Sequence, residues 1–336
     1  MKRVRDLYDS ICSLDNLRLA DEKARKGKTH SHGVRLHDRN KESNIQNLRN
    51  VLLNGTYRTS EYDVFTIYEP KERQIHRLPY YPDRIVHHAI MNILEPIWCS
   101  VFTSDTYSCI KGRGIHATVR NVRKALRQDI SGTKYCLKLD IRKFYPSIKH
   151  DILKVIIRRK LKDVRLLVLL DEIIDSADGL PIGNYLSQYF ANLYLSYFDH
   201  WIKESKGVKN YFRYADDIVI LGNDKSNLHH LFNDIASYMS TLELDVKSNW
   251  QVFPVDSRGI DFVGYVFFHS HTMMRKSIKQ TLCRRVSRMN KKESSFTEME
   301  FMRSISPWWG WAKHCDSKNL INKLSKLSKY EIKFKH

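Results

Sequence analysis

Two adjacent carboxylates, Asp216 and Asp217, sit between Tyr211-Phe212-Arg213-Tyr214 and Ile218-Val219-Ile220-Leu221. Two β-prone apolar runs that meet at paired acids predict a hairpin with carboxylates at its tip, where a divalent cation can be held. Adjacent acids are common in solvated turns, so the reading needs a further acid from another segment. Asp140 supplies it, at the end of Lys134-Tyr135-Cys136-Leu137-Lys138-Leu139. Alternation puts Tyr135, Leu137 and Leu139 on one face of a strand and Cys136, Lys138 and Asp140 on the other, polar face. Carboxylates from two segments suit two-metal nucleotidyl transfer, in which cations ~3.5–4 Å apart activate an attacking hydroxyl and steady a leaving pyrophosphate.

The bulk composition agrees with such a substrate. Lys and Arg number 57 against 37 Asp and Glu, a formal charge of +20, which points to a polyanionic partner and most simply to nucleic acid. A chain of 336 residues with 42% hydrophobic residues, 13 Gly and 8 Pro is neither fibrous nor disordered. Met1-Lys2-Arg3-Val4-Arg5-Asp6-Leu7 lacks a signal-peptide core, and no run approaches ~18 apolar residues, so a cytoplasmic protein with no membrane partner is expected. The six cysteines contain no Cys-x-x-Cys pair, and His30/His32 and His269/His271 lack an acid or cysteine at ligand spacing. Gly27-Lys28-Thr29 is not a P-loop ending, because Glu22 stands where its first glycine belongs.

Just past Asp140 runs Ile141-Arg142-Lys143-Phe144-Tyr145-Pro146-Ser147-Ile148. Asp140, the aromatic Tyr145 and the downstream Tyr214-Ala215-Asp216-Asp217 together resemble reverse transcriptases. The resemblance implies an α+β right-hand polymerase of fingers, palm and thumb, with an antiparallel palm sheet and a helical thumb. It implies two Mg2+ ions, with Mn2+ as a substitute, held at Asp140, Ile141, Asp216 and Asp217. Tyr145, with Phe144, would pack under the incoming sugar and select deoxynucleotides, since a ring at that point excludes one added hydroxyl.

Other segments extend the resemblance from about residue 12 to 330. Lys71 and Arg73, with Arg77 nearby, match the cations that meet the triphosphate, where charge builds on the leaving group. Lys111 and Arg113, in Lys-Gly-Arg-Gly, match a finger loop that contacts template or nucleotide. Lys247 would approach the triphosphate, and Phe262-Val263-Gly264 would form the primer grip, the glycine admitting close backbone approach. Residues 275–292 carry eight Lys or Arg and no acid, a pattern that repels itself unless it lies along phosphates. In Ser306-Pro307-Trp308-Trp309-Gly310-Trp311, Trp309 and Trp311 match a thumb helix that tracks the template–primer duplex.

The expected organisation is a basic helical extension over 1–48, fingers over 49–134, a palm over 135–272 with a helical insertion near 150–178, and a helical thumb with basic tail over 273–336. Asp15-Asn16 is the expected cap of a first long helix, and Asp83 of an apolar helix containing Ile85, Ile90 and Leu94. No RNase H, endonuclease or splicing domain is expected after the thumb.

Gly179-Leu180-Pro181-Ile182-Gly183-Asn184-Tyr185-Leu186-Ser187-Gln188 narrows the resemblance. Most bacterial reverse transcriptases, in group II introns and retrons alike, carry Gln-Gly and Ser-Pro here; this chain has Ile182-Gly183 and Ser187-Gln188. That pattern resembles the enzymes of diversity-generating retroelements, which copy a template RNA with errors at adenines and pass the mutagenised cDNA to a variable gene. It implies Ile182 and Gly183 at the nucleotide and Gln188 at the template or primer. Implied partners are template RNA, the RNA/cDNA duplex, dNTPs and a small basic accessory protein. A retron or phage-defence reverse transcriptase is the alternative, and a non-catalytic RNA-binding relative a third; the intact Asp140, Asp216 and Asp217 argue against the last.

Overall fold

The N-terminal quarter is helical because its apolar residues recur on single faces. Leu17, Ala20 and Ala24 of the helix Leu14–Ala24 are buried, and it lies against the helix Ile85–Cys99, whose Ile85, Val86, Ala89, Ile90 and Leu94 are also buried. The structure is a computed structural model that describes residues 3–68, 72–291 and 297–330. Lys71 lies outside the described residues.

The chain divides into two compact units. The first, residues 1–109, 141–207 and 236–246, is mainly helical. It carries one antiparallel hairpin, β1 (Asp63–Ile67) with β2 (Arg73–Arg77). Neither expected cap forms. Ser13 caps the helix Leu14–Ala24 by accepting from Asn16 N, and Asp83 accepts instead from Tyr57 Oη at 2.7 Å and Ser60 N at 3.1 Å. Asp83 is fully buried, and these donors within the fold take the carboxylate away from the helix start.

The second unit, residues 110–140, 208–235 and 247–336, is built on a four-stranded antiparallel sheet. Its strands are β3 (Tyr135–Asp140), β4 (Asn210–Tyr214), β5 (Asp217–Gly222) and β6 (Gln251–Pro254), in the order β4-β5-β3-β6. A second sheet joins β7 (Ile260–Phe262), β8 (Tyr265–Phe267) and β9 (Thr272–Met274). Cys136 departs from the expected polar face of β3. It is fully buried, and burial drives its thiol pKa far up. The helices Lys276–Lys291, Glu298–Ala312 and Lys318–Leu327 pack through Leu282, Val286, Phe301, Ile305 and Ile321.

Among the described residues no helix is long and apolar enough to cross a membrane. The His-x-His pair at 269 and 271 has structural partners: His269 Nδ1 lies 2.7 Å from Asp256 Oδ2, and His271 stacks on Phe268 at 4.6 Å.

Candidate active site

The acids are brought together by strand register. β3 pairs with β5 so that Asp140 lies directly opposite Asp217, and β4 pairs with β5 so that Tyr214 faces Asp217 across the turn. Opposed residues on antiparallel strands hold their Cβ atoms only ~4.5–5.5 Å apart, so the pairing forces two carboxylates into one place. Ala215 takes the left-handed conformation at φ +55, and the buried Arg213 guanidinium donates to its carbonyl at 3.0 Å. That buried arginine was not legible as a functional residue. Its signal was a cation within an apolar run, where a side chain needs acceptors.

Lys247 binds Asp140 twice, N to O at 2.9 Å and Nζ to Oδ2 at 2.7 Å. Lys138 Nζ stands 3.9 Å from Asp217 Oδ1 and also donates to the Asp261 carbonyl. Charge compensation is still incomplete. Asp140 Oδ1 and Asp217 Oδ1 are buried without a hydrogen-bond partner. Burial pushes Asp217 up to about 6 against the pull of Lys138, and Asp140 and Asp216 raise it further. Asp216 is also raised, by burial and then by the Asp140 charge. Three crowded acids with orphaned oxygens fit hard divalent cations. No trio of His, Cys, Asp or Glu among the described residues closes a metal cage unaided, so a cation here would complete its shell from substrate phosphate and water. A cleft of about 480 Å³ opens beside the acids, lined by Asp140, Asp217, Lys138, Asn249, Arg258 and Asp261 among others.

In the same unit Val263 and Gly264 turn at φ +44 and +87 between β7 and β8. A Cβ on Gly264 would run into the Trp311 ring. Phe262 is fully buried, Val263 is half-exposed, and Gly264 is buried with its carbonyl accepting from Arg275 N at 2.9 Å. Trp309 and Trp311 pack against the helical core, and Trp311 lies 5.3 Å from Tyr265. Lys111 is exposed and Arg113 half-buried in the loop before the helix Ile115–Gln128.

Lys247 lies in the same unit as the acids, whereas the other expected nucleotide-contacting residues described, Arg73, Phe144, Tyr145, Ile182 and Gly183, belong to the other unit. The loop 179–184 is fixed at both ends by backbone bonds, Leu180 N to Tyr145 O at 2.9 Å and His76 N to Ile182 O at 2.7 Å. Gly179 and Gly183 both have positive φ; an added Cβ would meet Pro146 O at 2.6 Å and His76 O at 2.7 Å. Tyr145, Ile182 and β2 are thereby held as one body. Phe144 is buried and meets the half-exposed Tyr145 ring at 5.7 Å, so it supports that ring. Gly183 and Gln188 are exposed, as is Arg73 at the head of β2, whereas Arg77 is paired with Asp63 and lies over Phe65. Ile141 is buried and bridges Val246.

Residues 69–267, more than half of the chain, match a family model described as Reverse transcriptase (RNA-dependent DNA polymerase). The chain is 27% identical over 226 residues to Protein YkfC of Escherichia coli K12, covering 62% of this chain and 54% of that protein. It is 26% identical over 246 residues to the Retron Ec73 reverse transcriptase of Escherichia coli, covering 68% and 75%. The chain spans about half or less of the length of the first curated relatives it matches. A telomerase structure from Candida tropicalis, solved with a fragment of telomeric RNA, shares the fold with a TM-score of 0.50 at 12% identity, covering 82% of this chain and 56% of that one.

Proposed function

Because the chain belongs to the reverse transcriptase family, we propose that it is an RNA-directed DNA polymerase, and more narrowly the error-prone enzyme of a diversity-generating retroelement. The observation that carries the chemistry is the Asp140–Asp217 register with Asp216 at the turn and two buried carboxylate oxygens without partners. Asp140, Asp216, Asp217 and the backbone at Ile141 would hold the divalent ions, Mg2+ in the first instance, which supply charge to the attacking hydroxyl and the leaving pyrophosphate. Lys247 is held against Asp140 until a cation or a triphosphate competes for it. The half-exposed Tyr145 ring, buttressed by Phe144, sets the sugar preference. The organisation proposed is fingers over 49–134, palm over 135–272 and thumb from 273.

The narrower assignment is supported by Ile182. A branched apolar chain there removes the amide hydrogen bonds a glutamine would offer to the nascent pair, each worth ~1 kcal/mol, and relaxes the check on the incoming nucleotide. The reading includes a template RNA and a small basic accessory protein as partners. Likeness to the Ec73 retron enzyme over three-quarters of that protein favours a second reading, a retron-type polymerase.

Metal-dependent dNTP incorporation on an RNA template, abolished in Asp216→Ala, tests the polymerase reading; undiminished synthesis refutes it. An imperfect repeat pair near the coding locus, differing mainly at adenines of one copy, tests the narrower one; its absence leaves the retron reading standing.

A further inference from the structure

The two sheets of the second unit share no paired strand. The sheet β4-β5-β3-β6 carries the acids, and β7-β8-β9 carries the turn at Val263 and Gly264. Backbone pairing therefore does not set the distance from that turn to the acids, and side chains that cross between the sheets bear on it. Lys138 is such a side chain. It lies within β3, paired with Val219 on one side and Gln251 on the other, and shares the face of Asp140 two residues on.

The acceptor it reaches is presented by the geometry of the β7–β8 hairpin. Phe262 pairs with Tyr265 across a two-residue turn, and Asp261 with Val266 next to them. The pair beside a two-residue turn exchanges both hydrogen bonds, so the next pair outward points its N–H and C=O groups away from each other. β7 is an edge strand of its sheet, which leaves the Asp261 carbonyl facing outward with no strand of that sheet to meet it. Lys138 Nζ donates to this carbonyl while standing 3.9 Å from Asp217 Oδ1. The Asp261 carboxylate in turn accepts from Arg275 Nε at 2.6 Å, and the Arg275 N–H donates to Gly264 O at 2.9 Å. A continuous chain of polar contacts thus runs from Asp217 through Lys138, Asp261 and Arg275 to the turn.

We propose that Lys138 is a positioning residue for nucleotide addition, an ammonium that holds the 263–264 turn, and the primer 3′ end the turn meets, at a fixed distance from the acids; this rests on the polymerase reading. An ammonium suits that place because its three donors can serve a carbonyl and a carboxylate at once. Its long apolar stem crosses from one sheet to the other without a polar group of its own to satisfy. Misplacing a reacting group by ~1 Å can cost ~10²-fold in rate, so a link that touches no substrate can still govern the reaction. The other role open to Lys138 is charge compensation of Asp217 alone, and experiment separates the two.

Single-turnover dNTP addition is measured with the full-length chain in excess over a DNA primer on an RNA template, with dNTP and Mg2+ titrated. Lys138→Met keeps the stem and removes the charge; it lowers the maximal rate ~30-fold, with the dNTP KM and the Mg2+ half-saturation within about twofold of wild type. Lys138→Arg, which can still donate to both groups, recovers the rate to within about fivefold of wild type. Arg275→Gln breaks the far end of the chain and costs ~10-fold. Because both residues act through one chain, the double variant loses ~30-fold, where independent effects would multiply to ~300-fold. In the metal-free protein without nucleic acid, Lys138→Met speeds amide exchange over residues 260–265 about tenfold and leaves exchange in β3 and β5 unchanged. A multiplicative double variant overturns the proposal, as does unchanged exchange over 260–265. A raised Mg2+ half-saturation, with the rate restored at high Mg2+, overturns it in favour of charge compensation. A wild type that adds no dNTP on RNA refutes the polymerase reading, and exchange then decides the link by itself.

Discussion

At the β3–β5 pair the groups brought together are side-chain carboxylates, whereas at the 179–184 loop the fixed groups are backbone. The sheet register brings Asp140 and Asp217 face to face and leaves a carboxylate oxygen of each buried and unbonded, so on the proposed reading neutral or shortened replacements lose the function. The loop is fixed through the carbonyls of Tyr145 and Ile182 and the absence of a Cβ at Gly179 and Gly183. Its side chain at 182 bears no structural duty visible in these bonds and is free to differ. On the proposed reading, chemistry is held by charge that admits no substitution, and selectivity by a scaffold that tolerates one. Both regions sit on positive-φ residues, Ala215 in one and Gly183 in the other, but only Gly183 is also sterically closed.

The largest effect tests the first half of this contrast. Asp216→Ala or Asp217→Asn should lower the single-turnover rate of dNTP addition at least ~10³-fold, the equivalent of about 4 kcal/mol of lost charge stabilisation. Template binding should be unchanged. A loss confined to template affinity would show that the acids are not the reacting centre.

Gly183→Ala tests the second half. Its φ of +114 is foreign to an L side chain, and the new methyl meets His76 O at 2.7 Å, so a stability cost of ~1–3 kcal/mol is expected. The dNTP KM should rise about tenfold while Asp216 chemistry at saturating dNTP falls far less. Thermal melts and steady-state kinetics check this. If kcat drops as deeply as in Asp216→Ala, the two regions are not separable in the way described.

A third effect lies in pH. Asp217 titrates at about 6 in the folded chain and near 3.9 when unfolded, so between these values the folded state holds the additional proton. Metal-free stability should thus fall as pH rises from ~4 to ~6, by on the order of 3 kcal/mol, and stay at the lower level above that. Denaturant melts in EDTA should show this slope for the wild type and a flatter one for Asp217→Asn, which is also the more stable at neutral pH. Identical pH profiles would mean that the buried oxygen carries no electrostatic cost.

How far the sequence could be read follows the same division. The β3–β5 carboxylates were legible because strand alternation and an acid at each strand end are local signals, and register follows from them. The loop was legible only through its unusual string. That Gly183 is closed by His76, or that Gly179 rests on Pro146, depends on contacts between segments remote in sequence. The caps failed for a related reason. Asp83 has the right place before a helix, but Tyr57 and Ser60 offer it buried donors, and burial decides. Phe262 reads as a primer contact by position, yet its side chain is fully buried.

The smallest expected effect is the most discriminating for biology. Ile182 is half-exposed, and its carbonyl is held by His76, so Ile182→Gln keeps the bond that fixes the loop and changes only what the side chain offers. A new amide able to hydrogen-bond the nascent pair should favour correct geometry by ~1 kcal/mol, about fivefold in discrimination. Misincorporation opposite template adenine should fall by that factor in single-nucleotide assays, with correct incorporation altered less than threefold. A loop that controls selectivity through its backbone alone would leave the error spectrum unchanged, and the difference between the two regions would then be one of position and not of the freedom of residue 182.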